Sequence, residues 1–160
     1  MQLASIRLDG RVSVVVRVDE STVVDVDELL LLASSDDAPA PRVQSMKQLI
    51  SGGTAMRSRI EAALARIGEL DVARIPIDEA SWLPPVVSPG KICAVAMNNS
   101  ASNARKISAP DHPAFFLKPP SCLIGHGGTV RIRPYYGSVH PEPELAAVIG
   151  RTTRDVAAVD

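Results

Sequence analysis

Aromatic side chains are scarce in this sequence. Trp, Tyr and Phe make up 3% of its 160 residues, as one Trp, two Tyr and two Phe. The interior must therefore be built from Val, Ile, Leu and Ala. Surplus charge is missing too: 17 Lys and Arg stand against 18 Asp and Glu, a formal net charge of −1. That balance excludes a strongly basic nucleic-acid binder and gives no sign of a polyanionic partner. Long apolar runs are absent, and one such as Leu29 to Ala33 is far too short to cross a bilayer. The opening MQLASIRLDGRVSVVV has no basic start, long apolar stretch and small-residue cleavage site in sequence. Cysteine is sparse. Cys93 and Cys122 lie far apart in apolar surroundings, KICAVA and SCLIG. A disulfide is open in principle, and buried free thiols in a reducing compartment are the expectation. Together these absences predict a soluble, cytoplasmic protein with no membrane or nucleic-acid partner.

What is present is a hydrophobic share of 46%, enough for a packed core and too high for a disordered chain. The fold class expected is β-rich α+β. LASIRL (3–8) and VSVVVRV (12–18) are β-rich runs, and Asp9-Gly10 between them is a hairpin signal. A third short strand is expected at Thr22 to Val26. Asp27-Glu28-Leu29-Leu30 then opens a short apolar helix or turn, with acids where the helix dipole favours them. SSDDAPAP (34–41) reads as a loop. A helix is expected over 43–51, ended by Gly52-Gly53. Thr54 is a candidate cap for a second helix over 55–67, where Met56, Ile60, Ala63, Leu64 and Ile67 recur at helical spacing.

Residues 76–90 change character. Pro76, Pro84, Pro85, Pro89 and Gly90 punctuate a segment without a period, which marks a boundary between a small N-terminal domain, 1–75, and a second unit, 91–160. Trp82 is expected to anchor this linker to a domain surface. Ile92 to Met97 has the pattern of a buried strand. Later strands are expected at Ala114 to Lys118, Thr129 to Arg133 and Glu144 to Ile149.

The stretch HPEPELAAVIG, 140–150, carries the clearest chemical signal. In a strand, Glu142 and Glu144 would point to the same face. Pro143 pushes Glu142 to extended angles and suits an edge or a strand entry. Two carboxylates on one face repel unless something positive lies between them, and a hard cation suits oxygen-only ligands. E-x-E is also common on solvated strand faces. By itself the spacing does not separate a metal site from a solvated surface.

The order KICAVAMN, HPAFFLKPPSCLIGHGGTVRI, PEPELAAVIGRTTRDV resembles the fumarylacetoacetate hydrolase family. That family includes acylpyruvases, oxaloacetate decarboxylases and the hydratases and isomerases of aromatic breakdown. The specific parts are the block Glu142 to Arg151 and the F-x-K element Phe116 to Lys118, and the opening MQLASIRLDGRVSVVVRVDESTVVDVDELL resembles the small domain that precedes many members. The resemblance implies a small N-terminal α/β domain followed by the first half of a mixed β-roll catalytic domain. It implies Mg²⁺ or Mn²⁺ held by Glu142 and Glu144, a homodimer in the full-length form, and Lys118 near the site to meet a substrate carboxylate. It implies a small oxo-acid substrate, processed through a metal-stabilised enolate by C–C hydrolysis, decarboxylation, isomerisation or hydration.

Two departures from the family pattern stand out. The third metal ligand is an aspartate well after the Glu142 block, and the sequence reaches Asp160 before that position; neither Asp155 nor Asp160 matches it. Many members also carry a His and a Glu as an acid/base pair in the loop after the first catalytic-domain strand. Here that loop reads NNSASNARKI: Asn98 matches its start, Ser102 or Asn103 stands near the His position and Arg105 near the Glu. His112 does not match, so no catalytic residue is intact. Substrate binding through Asn98, with Asn99, Ser100 and Ser102, stays open. His126 lies in a Gly-rich turn whose glycines are expected to serve positive φ, and His140 is read as an exposed loop histidine or a partner of a metal ligand. The expectation is an enzyme's N-terminal portion, inactive as 160 residues. The alternative is a non-catalytic binding or assembly module on the same scaffold.

Overall fold

The computed structural model describes residues 1–35, 39–97 and 112–157. β1 (Leu3–Leu8) and β2 (Arg11–Arg17) run antiparallel, with Leu8 opposite Arg11. Asp9 and Gly10 join them at φ 49° and 78°. Two central residues at positive φ give the turn whose twist matches paired strands, as the Asp-Gly pair predicts. β3 (Thr22–Asp25) pairs with β2, Val24 opposite Val16. The turn before it is held by Asp19. Its carboxylate accepts from the N–H groups of Ser21 and Thr22, both at 2.8 Å, and from the Thr22 hydroxyl at 2.6 Å.

Asp25 ends β3 and caps α1 (Val26–Ala33), accepting from the N–H groups of Asp27 and Glu28 at 2.8 and 3.2 Å. The expected third strand is thus one residue shorter, because Val26 already belongs to the helix. α2 (Met46–Ser51) is capped by Ser45. α3 (Gly53–Ala65) is capped by the backbone of Gly52 without a side-chain bond, so Thr54 lies inside the helix and is not its cap. Ile60 and Ala63 are buried, while Met56, Leu64 and Ile67 pack at the margin of the same cluster, as their spacing predicts.

β4 (Arg74–Pro76) and β5 (Ser81–Leu83) complete a sheet of order β4-β3-β2-β1-β5. The proline-rich segment therefore supplies strand as well as connection, and Trp82 lies opposite Ile6 on β1. β4 and β5 sit at opposite ends of the strand order, yet only the turn at 77–79 and its neighbours join them. A chain from residue 76 to 81 reaches at most about 18 Å, and four flat strand spacings need about 19 Å. With a turn inside the connection, the sheet must curl. Its two faces accordingly carry two cores. Val14, Val16 and Val24 pack under the helices with Leu29, Leu49 and Ile60. Ile6, Val15 and Val23 pack on the inner side of the curl beneath Trp82, Ile75 and Ile77.

β6 (Ile92–Ala96) and β7 (Ala114–Lys118) form a separate antiparallel pair, with Ile92 opposite Lys118. The expected burial of Ile92 to Met97 is not found: Cys93 and Met97 are exposed and the rest only half-buried. Cys93 and Cys122 are free thiols, as expected, but both are exposed. After β7 come 3-10 turns at Pro120–Cys122 and Pro134–Tyr136. Thr129 to Arg133 and Glu144 to Ile149, expected as strands, have no regular structure. A strand exists only as part of a ladder, and no described segment pairs with either. No helix among the described residues is long and apolar enough to cross a membrane.

Candidate functional site

Lys118 closes β7, and its Nζ lies 5.6 Å from the Phe116 ring centroid. Ladder register puts Lys118 and Phe116 on one face of the hairpin with Ile92 and Ala94. An ammonium over an aromatic face is held by the ring quadrupole and stays available to an anion from outside. The side chain is exposed.

Glu142 and Glu144 lie on a stretch without regular structure, one on each side of Pro143 and before the apolar run to Ile149. Both are exposed, and neither forms an ion pair among the described residues. Without a ladder, the same-face placement expected of a strand is not fixed by pairing. Leu145 beside them is fully exposed at 102%, and Ile149 stands at 72%. The end of this run passes α2: an ideal Cβ on Gly150 would lie 3.4 Å from Cγ2 of Ile50. Beside this contact, a hollow of about 620 Å³ is lined by Val148, Gly150 and Arg151 and by Ile50, Gly53 and Thr54.

Among the described residues no three His, Cys, Asp or Glu side chains come together around a common point. The structure thus shows the two glutamates as neighbours and does not bring His126, His140 or Asp155 to them as a third donor. His112, His126 and His140 are exposed. Asn98, Asn99, Ser100 and Ser102 lie outside the described residues. The two carboxylates are an oxygen-only donor pair without an ion pair among the described residues, a donor type that suits a hard divalent ion.

One feature of the Gly-rich turn differs from expectation. Of Gly125, Gly127 and Gly128, only Gly127 has positive φ, 76°. Gly125 is needed for another reason: an ideal Cβ there would stand 2.0 Å from the Trp82 carbonyl oxygen. Sequence pattern separates these two demands poorly, because both are met by glycine.

Residues 91–160 match the family described as fumarylacetoacetate (FAA) hydrolase C-terminal. That segment belongs to the fumarylacetoacetate hydrolase family. A maleylpyruvate hydrolase of Aquipseudomonas alcaligenes is 34% identical over 154 residues, 87% of this chain and 50% of that protein. A mitochondrial oxaloacetate tautomerase of Homo sapiens is 32% identical over 118 residues, 73% of this chain and 36% of that protein. A mitochondrial oxaloacetate tautomerase of Arabidopsis thaliana is 44% identical over 68 residues, 41% of this chain and 30% of that protein. The chain thus spans half or less of the length of these curated relatives. The first alignment extends well beyond residues 91–160, so the fumarylacetoacetate hydrolase likeness includes sequence in the curled sheet and its helices.

Proposed function

We propose that this chain is part of a divalent-metal-dependent enzyme of the family, acting on a small 2-oxo-acid. The observation that carries the reading is the block Glu142 to Arg151, inside the matched segment 91–160. The alignments to a maleylpyruvate hydrolase and to oxaloacetate tautomerases support the substrate class. Glu142 and Glu144 would hold Mg²⁺ or Mn²⁺ and serve as ligands, not as bases. When bound, the ion would act as a Lewis acid on the oxo and carboxylate oxygens and stabilise negative charge developing between them. Lys118 would meet a substrate carboxylate as a point charge. Asn98 would contribute a polar contact from the loop after β6. The absence of the His and Glu acid/base pair in that loop makes tautomerisation, decarboxylation or hydration as open as C–C hydrolysis.

Two carboxylates alone should bind Mg²⁺ weakly, because it demands near-octahedral geometry and dehydrates reluctantly. The 160-residue chain by itself is therefore expected to be inactive, and the whole protein to act as a homodimer. The exposed apolar β6–β7 pair supports such assembly, and two free thiols accord with a reducing cytoplasm. The test is turnover of oxaloacetate and an acylpyruvate by the whole protein, with and without chelator, and again for Glu144→Gln. Loss of activity in chelator and in the variant is expected. Turnover indifferent to both, or turnover by the 160-residue chain that Glu144→Gln abolishes, would overturn the corresponding claim.

A further inference from the structure

The turn Gly125–Gly128, closed by the Gly128 N–H donating to the Gly125 carbonyl at 3.0 Å, lies against β5. The contact has no room for a side chain. A Cβ on Gly125 would stand 2.0 Å from the Trp82 carbonyl oxygen, 2.6 Å from its carbonyl carbon and 3.0 Å from the Leu83 Cα. All three are backbone atoms. β5 is held to β1 through Ile6–Trp82 and Ser5–Leu83, and the Ser5 hydroxyl donates to the Pro85 carbonyl at 2.7 Å. The obstruction therefore has no rotamer to change and no loop to swing. Gly127 is the contrast: it needs positive φ, 76°, yet a Cβ there would meet nothing within 4 Å.

We propose that the β5 backbone at Trp82–Leu83 is the docking surface that positions the segment 112–157 on the curled sheet, with Gly125 as the positioning residue. Lys118 precedes the turn and Glu142 and Glu144 follow it, so the joint anchors both arms that carry them. This consequence rests on the metal-site reading of those residues. The joint itself does not, and it is tested without any assay of turnover.

The sequence supplies its own probes. Trp82 is the sole tryptophan, and Cys122 is an exposed thiol just ahead of Gly125. With Cys93→Ser as background, Cys122 is labelled with a dye that accepts tryptophan emission. Three residues reach about 11 Å at most, so a seated turn holds the dye close to the indole. Strong quenching of Trp82 emission in the folded labelled chain is expected, and full Trp82 emission there would overturn the proposal whether or not any variant folds. Gly125→Ala should then relieve the quenching while Gly127→Ala keeps it. A folded Gly125→Ala chain with undiminished transfer, or equal relief by both variants, would show that β5 does not select glycine at position 125.

Discussion

Asp19 and Asp25 sit six residues apart in the chain and do opposite kinds of work. Asp25 is 2% exposed and ties strand to helix: it takes two helix N–H groups and faces the Arg11 guanidinium at 3.4 Å. Asp19 is at the surface, yet the Thr22 hydroxyl and the Ser21 N–H, followed by the Ser21 hydroxyl and the Thr22 N–H, hold its carboxyl down to about 2 from its ordinary 3.8. A depressed carboxyl contributes stability that is complete above the ordinary value and is lost as pH falls toward the folded one. Asp19→Asn should therefore unfold at lower urea than the parent near neutral pH. The gap should close as pH falls from about 4 to about 2. Urea midpoints measured across that range check it, and a gap that persists at the acid end would assign the effect to packing. At this scale the sequence was readable where a residue acts on its immediate neighbours. The acids Asp27 and Glu28 announce the helix start, but which residue turns the strand into a helix depends on local backbone angles, so Val26, a strand former by composition, opens the helix instead.

Elements whose partners lie close in sequence were the legible ones. The β1–β2 hairpin needs only its two β-rich runs and Asp9-Gly10. Gly10→Val would place a β-branched side chain at φ 78° and should cost about 1–3 kcal/mol, seen as a lower urea midpoint with an unchanged slope. A Gly10 substitution that leaves the midpoint unmoved would mean that the turn relaxes freely. β4 and β5 were hidden for the opposite reason. Each is three residues long, too short to show a period, and each pairs with a strand far away in sequence. Prolines at 76, 84 and 85 mark their ends, so the signals that suggested a linker bound real strands. Thr129 to Arg133 and Glu144 to Ile149 show the converse: strand composition without a ladder is not a strand.

For the molecule as a whole, the two ends of the described chain are finished to different degrees. The curled sheet buries residues on both faces. The β6–β7 pair buries neither: Phe115 is 66% exposed, Leu117 71% and Phe116 46%. An isolated two-stranded pair is marginal in water, and apolar side chains on both of its faces call for a covering layer on each. The 160-residue chain is therefore expected to self-associate at micromolar concentration in sedimentation velocity. Phe115→Ser with Leu117→Ser should shift it toward monomer, and a parent that stays monomeric throughout would show that these faces do not drive association. The candidate site shares this unevenness. The order of its candidate residues is open to sequence reading, because the pair Glu142 and Glu144, proposed as metal ligands, is a local pattern. Its geometry is not, because bringing ligands together is a property of the ladder around them.

The pairing of β5 with β1 also has a temporal side. A hairpin such as β1–β2 closes in about 1–10 μs once both strands are free. Synthesis adds about 5–20 residues per second, so Ser81 to Leu83 follow Leu8 from the ribosome only after several seconds. For that interval β1 has one edge unpaired and Ile6 lacks its cover from Trp82. The nascent chain thus carries an open strand edge early and closes it late, and the arrival of Trp82 is the event that ends its exposure to mispairing.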